Sequence, residues 1–206
     1  MEELKTISAL ILCYKKLPGI GEKTAERLAY GTLSLTPEDR EEFIQALSDS
    51  SLKVRPCPDC GLFCEDGNCP ICKDPARNHK EMMIVSNPKD IYTIEKTKGY
   101  NGIYFTLSGT LSPLRNRTPE RIGIPKLREK VEKEGIEELI LALPTDLDGE
   151  TTSLYLANLF KGTKTKVTRL AYGIPIGTNL EYLDNMTISQ SIRGRVDMES
   201  SEKKEK

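Results

Sequence analysis

No run of apolar residues in this 206-residue chain approaches the length, about 18, that a membrane span needs. The opening stretch, MEELKTISALILCYKKLPG, lacks a basic leader and carries acids before its apolar residues. It predicts an amphipathic helix and not a signal peptide, so the chain is expected to stay in the cytoplasm. Net charge is scarce too: 30 Lys and Arg against 31 Asp and Glu leave −1, which excludes a global basic field. The charge is uneven along the chain, however. Seven basic residues face three acidic ones between Arg115 and Lys133, and Lys161, Lys164, Lys166 and Arg169 follow with no acid among them. Such stripes either bind phosphate or form solvated helix faces. A single histidine, His79, leaves few groups for acid–base catalysis, and no internal repeat is visible. The hydrophobic share of 37% is ordinary, with room for one sizeable core or two or three small modules.

What is concentrated is cysteine. Five of the six fall between Cys57 and Cys72, and a cytoplasmic compartment argues against disulfides. Cys57, Cys60, Cys69 and Cys72 form two CxxC pairs separated by eight residues. Each pair turns two thiolates toward one point, and the spacer lets the pairs meet tetrahedrally around zinc. Four thiolates leave no open position, so the expected role is structural. Cys64 is then a spare, Cys13 an inert core thiol on the first helix, and His79 a surplus surface residue. Residues 54–78 have almost no hydrophobic periodicity, and a metal would supply the missing folding energy.

The segments on either side differ in texture. Residues 1–53 are expected to be helical: Leu4, Ile7, Ile11 and Tyr14 share one face, and Leu17 to Gly21 break the helix before it resumes from Glu22 to Gly31. Thr36 and Pro37 open a third helix ending near Ser48, with Phe43, Ile44 and Leu47 as its buried face. In the break, Gly19 and Gly21 permit a tight hairpin whose backbone N–H groups can receive a phosphate, and Lys23 and Arg27 add charge one turn apart. No group there reads a base, so binding would be indifferent to sequence and sensitive to salt. This pattern resembles the helix-hairpin-helix DNA-binding modules; a plain helical corner is the bland reading.

From residue 79 to 173 strand and helix signals alternate, predicting a mostly parallel α/β sheet. The expected strands are Met82–Val85, Ile103–Leu107, Glu138–Leu143 and Lys166–Ala171; the expected helices are Asp90–Lys98, Lys126–Glu134 and Thr151–Lys161. The third strand runs into Asp146, Asp148 and Glu150, carboxylates at the carboxyl edge of a sheet, where open α/β folds place their sites. Two readings stand for them: Mg²⁺ ligands, or acids that cap a helix and face solvent or a basic partner. Residues 174–206 form a short C-terminal segment ending in the polar tail ESSEKKEK, expected to be disordered.

The acidic edge resembles the Toprim domain of topoisomerases, primases and some nucleases. Those enzymes carry a catalytic glutamate at the end of the first strand, a position matched here by Ser86, which takes up no proton near neutral pH. The order of helix-hairpin-helix, four-cysteine module, Toprim-like domain and short C-terminal segment resembles the RecR family of recombination mediators. Matching pieces include Ser108 to Leu114, Lys166 to Pro175, Gly177 to Asp184, and Gly194-Arg195. The resemblance implies a DNA-binding protein without enzymatic activity, acting with RecF and RecO to help load RecA onto single-stranded DNA. It also implies a homodimer or a ring-like homotetramer, with the Toprim region contributing to partner contact. The rival reading is a Mg²⁺-dependent Toprim nuclease or primase-like enzyme.

Overall fold

The computed structural model describes residues 4–197 apart from Asp66 and Asn68, so the polar tail lies outside the described residues. The chain divides into two compact units, Met1–Arg55 and Pro56–Lys206.

The first unit is three helices: α1 (Lys5–Lys15), α2 (Glu22–Leu33) and α3 (Pro37–Lys53). Ile7, Leu10, Ile11 and Tyr14 of α1 pack on Ala25 and Ala29 of α2 together with Ile20. The two alanines, four residues apart, lie on one side of α2, and their small side chains let the helices approach closely. Hydroxyls of Tyr14 and Thr32 meet at 2.5 Å. On α3, Thr36 accepts the Asp39 N–H at 3.1 Å, with Pro37 at the first helical position, as expected from the sequence. The expected buried face of α3 does not exist within this unit: Phe43, Ile44 and Leu47 are 48%, 53% and 65% exposed. Caps and helix propensity are enough to form α3, but burial needs a neighbour, and this unit supplies none. Cys13 is exposed as well, because α1 turns Ile11 and not Cys13 toward α2, which corrects the core-thiol expectation.

The second unit begins past the junction strand β1 (Val54–Pro56) with the cysteine module, which holds β2 (Phe63–Glu65). Then follow β3 (Asn78–Val85), α4 (Pro88–Lys96), β4 (Gly102–Thr106), α5 (Ile124–Glu134), β5 (Glu138–Ala142), α6 (Leu147–Leu159) and β6 (Lys166–Arg169). The four main strands form one parallel sheet in the order β4-β3-β5-β6. Period-two alternation separates its faces. Met82, Ile84, Ile103, Phe105, Leu139 and Leu141 turn to one face and pack against Ile124, Leu127 and Val131 of α5 and Leu156 of α6. Met83, Val85 and Tyr104 turn to the other, against Ile91 of α4 and the buried cysteines. The cysteine module therefore works as part of a layer on the sheet. Being covered on both faces is why the central strands read as unbroken apolar runs, MMIV and LILA.

Several boundaries move from their sequence expectations: α3 runs on to Lys53, past Ser48, and β3 starts at Asn78, ahead of Met82. Helix α6 starts at Leu147, four residues before Thr151, because Asp146 is its N-cap and accepts the Gly149 N–H at 2.8 Å. Strand β6 stops at Arg169, and an irregular stretch leads to a 3₁₀ turn at Leu180–Tyr182 and to α7 (Asn185–Arg193), capped by Asp184.

Candidate functional site

In the cysteine module, Cys57 and Cys60 lie on a turn where the Gly61 N–H donates to the Cys57 carbonyl at 2.9 Å. Gly61 has φ +82, and a Cβ there would come within 2.7 Å of Thr106, so this turn requires glycine. The second knuckle mirrors the first: the Lys73 N–H donates to the Cys69 carbonyl at 3.3 Å, and the Cys72 N–H points to the Cys69 Sγ at 3.5 Å. Together they bring the four Sγ atoms within 4.8 Å of one another, with Cys57–Cys72 at 3.8 Å and Cys60–Cys69 at 3.6 Å. A tetrahedron of thiolates with metal–sulfur bonds of about 2.3 Å has edges of about 3.8 Å, so the four residues fit a tetrahedral metal ion. The crowding shows in their acidities. Hydrogen bonding from Cys72 holds Cys60 down to about 6 despite its burial. The same bond, followed by burial and the neighbouring charge, pushes Cys72 up, and burial raises Cys57. A divalent cation held among the four would favour their thiolate forms. Cys64 is buried on β2 outside this group.

The module is joined firmly to the sheet. The Cys60 carbonyl accepts both the Thr106 N–H at 2.9 Å and the Thr106 hydroxyl at 2.7 Å, and the Tyr92 hydroxyl donates to the Phe63 carbonyl at 2.8 Å. Sequence reasoning missed a third tie. Arg77 forms a two-pronged ion pair with Glu95, whose Oε1 also accepts the Tyr104 hydroxyl at 2.6 Å. The Arg77 hydrogen bonds hold Glu95 below the usual carboxylate range. These partners stand 18 and 9 residues apart in sequence, so no local pattern announces them.

In the first unit, Gly19 adopts φ +80, a left-handed conformation that lets the chain reverse between α1 and α2. Gly21 is the extended N-cap of α2, with no side chain to occupy the helix's first N–H groups. A Cβ at either glycine would meet nothing within 4 Å, so the space in front of the hairpin is open. Lys23 and Arg27 are both exposed on α2, one turn apart. Lys15 pairs with Glu22 at 2.6 Å.

At the carboxyl edge of the sheet, the three acids do different things. Asp146 caps α6, while Asp148 lies in the first helical turn. Glu150 faces Arg169 at 3.3 Å and accepts the Tyr172 hydroxyl, and the Arg169 guanidinium stacks 4.3 Å above the Tyr172 ring. Among the described residues, the four cysteines are the cluster whose ligand atoms converge; Asp146, Asp148 and Glu150 do not gather into one. Ser86 follows β3 directly and is half-buried, and His79 is exposed at the other end of that strand.

Comparison with known proteins covers nearly the whole chain. Residues 7–50 match the RecR helix-hairpin-helix model, residues 80–171 the Toprim domain model, and residues 173–196 the RecR C-terminal model. Recombination protein RecR of Bifidobacterium adolescentis is 41% identical over 92% of this chain and 94% of its own length. That of Staphylococcus aureus is 42% identical over 93% and 97%, and that of Bifidobacterium longum 39% identical over 92% and 94%.

Proposed function

The chain belongs to the RecR family of recombination proteins, with a role in recombinational repair, and we propose that it serves there as a DNA-binding mediator. In this reading it acts with RecF and RecO to help load RecA onto single-stranded DNA. It holds DNA without altering it. The observation that carries the reading is the hairpin: Gly19 at φ +80, the uncovered N-terminus of α2, and Lys23 and Arg27 exposed beside it. The N–H groups at Gly19 and Gly21 receive a backbone phosphate, and the two cations neutralise its neighbours.

The metal held by Cys57, Cys60, Cys69 and Cys72 is zinc, which suits four thiolates at this spacing and, with no position left for water, supplies cross-linking and no chemistry. The same arrangement argues against catalysis elsewhere. Ser86 stands where a proton-accepting carboxylate would work, and Asp146 and Glu150 are engaged by the α6 cap and by Arg169. The protein acts as an assembly of copies, a dimer or a ring of four. Phe43, Ile44 and Leu47 on α3, exposed within their unit, are suited to an interface between copies. Repetition turns one weak hairpin contact per copy into firm binding. No helix among the described residues is long and apolar enough to cross a membrane, and the mediator works in the cytoplasm.

The test is reconstitution. Single-stranded DNA coated with single-strand-binding protein is mixed with RecA, RecF and RecO, and RecA assembly is followed with and without this protein. A shortened lag that the Lys23→Ala, Arg27→Ala variant fails to produce is the expected result. An unchanged lag with the parent protein contradicts the mediator reading.

A further inference from the structure

The basic stripe that begins at Arg115 is not absorbed by the hairpin or the metal centre. Its first part is a tight turn built on the second unit. The Ser112 and Arg117 N–H groups donate to each other's carbonyls at 3.2 and 3.0 Å, closing a two-way ladder. Inside it the Arg115 N–H donates to Ser112 at 3.1 Å and the Asn116 N–H to Pro113 at 3.1 Å, while Asn116 takes the left-handed conformation at φ +51. The base of the turn is anchored, since Thr110, Leu111 and Ser112 are buried and the Leu111 N–H donates to the Thr152 hydroxyl at 2.8 Å.

This turn sets an apolar tip among cations. Leu114 at its tip is 100% exposed. Arg115 is exposed beside it, and Arg121, also exposed, reaches back to the Asn116 carbonyl at 3.3 Å. Arg117 packs its guanidinium toward Gly109. Among the described residues none of these arginines forms an ion pair, although salt bridges are common elsewhere in the chain. The nearby acid, Glu120, turns to the Thr118 side chain, which holds its carboxyl below the usual range.

We propose that the Ser112–Arg117 turn is a second DNA contact, with Arg115 and Arg121 on backbone phosphates and Leu114 against the sugars and base edges between them. The inference rests on the DNA-binding reading above and adds a site on the other unit. Arginine's planar fork suits phosphate oxygens. Apolar tips flanked by cations recur where proteins press on base steps, because sugars and bases lie between successive phosphates. A carboxylate-rich protein surface would satisfy the arginines but would surround Leu114 with charge. Since the turn is closed by its own backbone bonds, little ordering accompanies binding.

The experiment is fluorescence anisotropy of labelled duplex DNA with the full chain over a range of salt. Two phosphate contacts removed by Arg115→Gln with Arg121→Gln lower the slope of log affinity against log salt by about 1.8. Between about 50 and about 200 mM salt the parent then loses roughly tenfold more affinity than the variant. Leu114→Ala, which cannot disturb the fold from so exposed a position, weakens binding and leaves the slope alone. If both variants bind as the parent does while Lys23→Ala with Arg27→Ala is impaired, the second contact is wrong and the hairpin reading stands. A parent that binds no DNA removes both. A double variant that keeps DNA binding but loses retention on immobilised polyglutamate overturns the inference in favour of an acidic protein partner.

Discussion

Cys64 and Cys72 are both thiols of the same module, yet only one belongs to the convergent four-cysteine cluster. The Cys72 Sγ sits 3.8 Å from that of Cys57, whereas Cys64 is buried on β2 beside the group. Replacing Cys72 with serine therefore removes a ligand and leaves three thiolates. Cys64→Ser leaves all four members of the cluster in place. The expected outcome is that Cys72→Ser retains well under half of the parent's bound zinc by atomic emission, while Cys64→Ser keeps one ion per chain. Full zinc in Cys72→Ser would show that another set of ligands is used. This distinction was legible in the sequence because CxxC geometry is local. The fate of Cys13 was not: its exposure depends on which side of α1 meets Ala25 and Ala29, a long-range choice. The Arg77–Glu95–Tyr104 network was equally hidden, since residue types spread over three elements carry no spacing signal.

At the scale of elements, caps decide more than hydrophobic periodicity. The Thr36-Pro37 start of α3 was readable, and so was its helicity, but not whether its apolar side would be covered. Helix α6 shows a second case: the sequence leaves Asp146, Asp148 and Glu150 open between Mg²⁺ ligands and helix-capping acids, and they are the cap and first turn of a helix, where carboxylates oppose the positive end of the dipole. Gly149 makes this start possible. A Cβ on it would lie 1.9 Å from the Pro144 carbonyl oxygen, a backbone atom that cannot swing away. Gly149→Ala should therefore displace the β5–α6 connection and destabilise the protein by about 1–3 kcal/mol. Chemical denaturation measures it; an unchanged midpoint would mean that the connection relaxes freely. The strands of the sheet were legible, because apolar runs such as LILA announce buried strands; their register was not. That the cysteine module covers one face of the sheet was not legible either, as nothing in its composition marks a sheet-facing layer.

At the scale of the whole molecule, two units divide the tasks. The first presents the hairpin, and the second welds a four-cysteine module to a parallel sheet through Cys60–Thr106, Tyr92–Phe63 and Arg77–Glu95. The sequence's near-zero net charge fits the proposed reading, in which nucleic acid is met by local groups and not by a general field. The binding proposed for it is expected to be salt-sensitive, indifferent to sequence and without chemical consequence for the DNA. The most direct measurement is binding of labelled single-stranded and duplex DNA with Mg²⁺ present, over a range of salt, with the DNA checked afterwards for cleavage. Affinity that falls steeply with salt, drops about tenfold or more in the Lys23→Ala, Arg27→Ala variant, and leaves the DNA intact is the expected result. Mg²⁺-dependent cleavage that disappears in Asp146→Ala would contradict it and make the acidic edge of the sheet an active site.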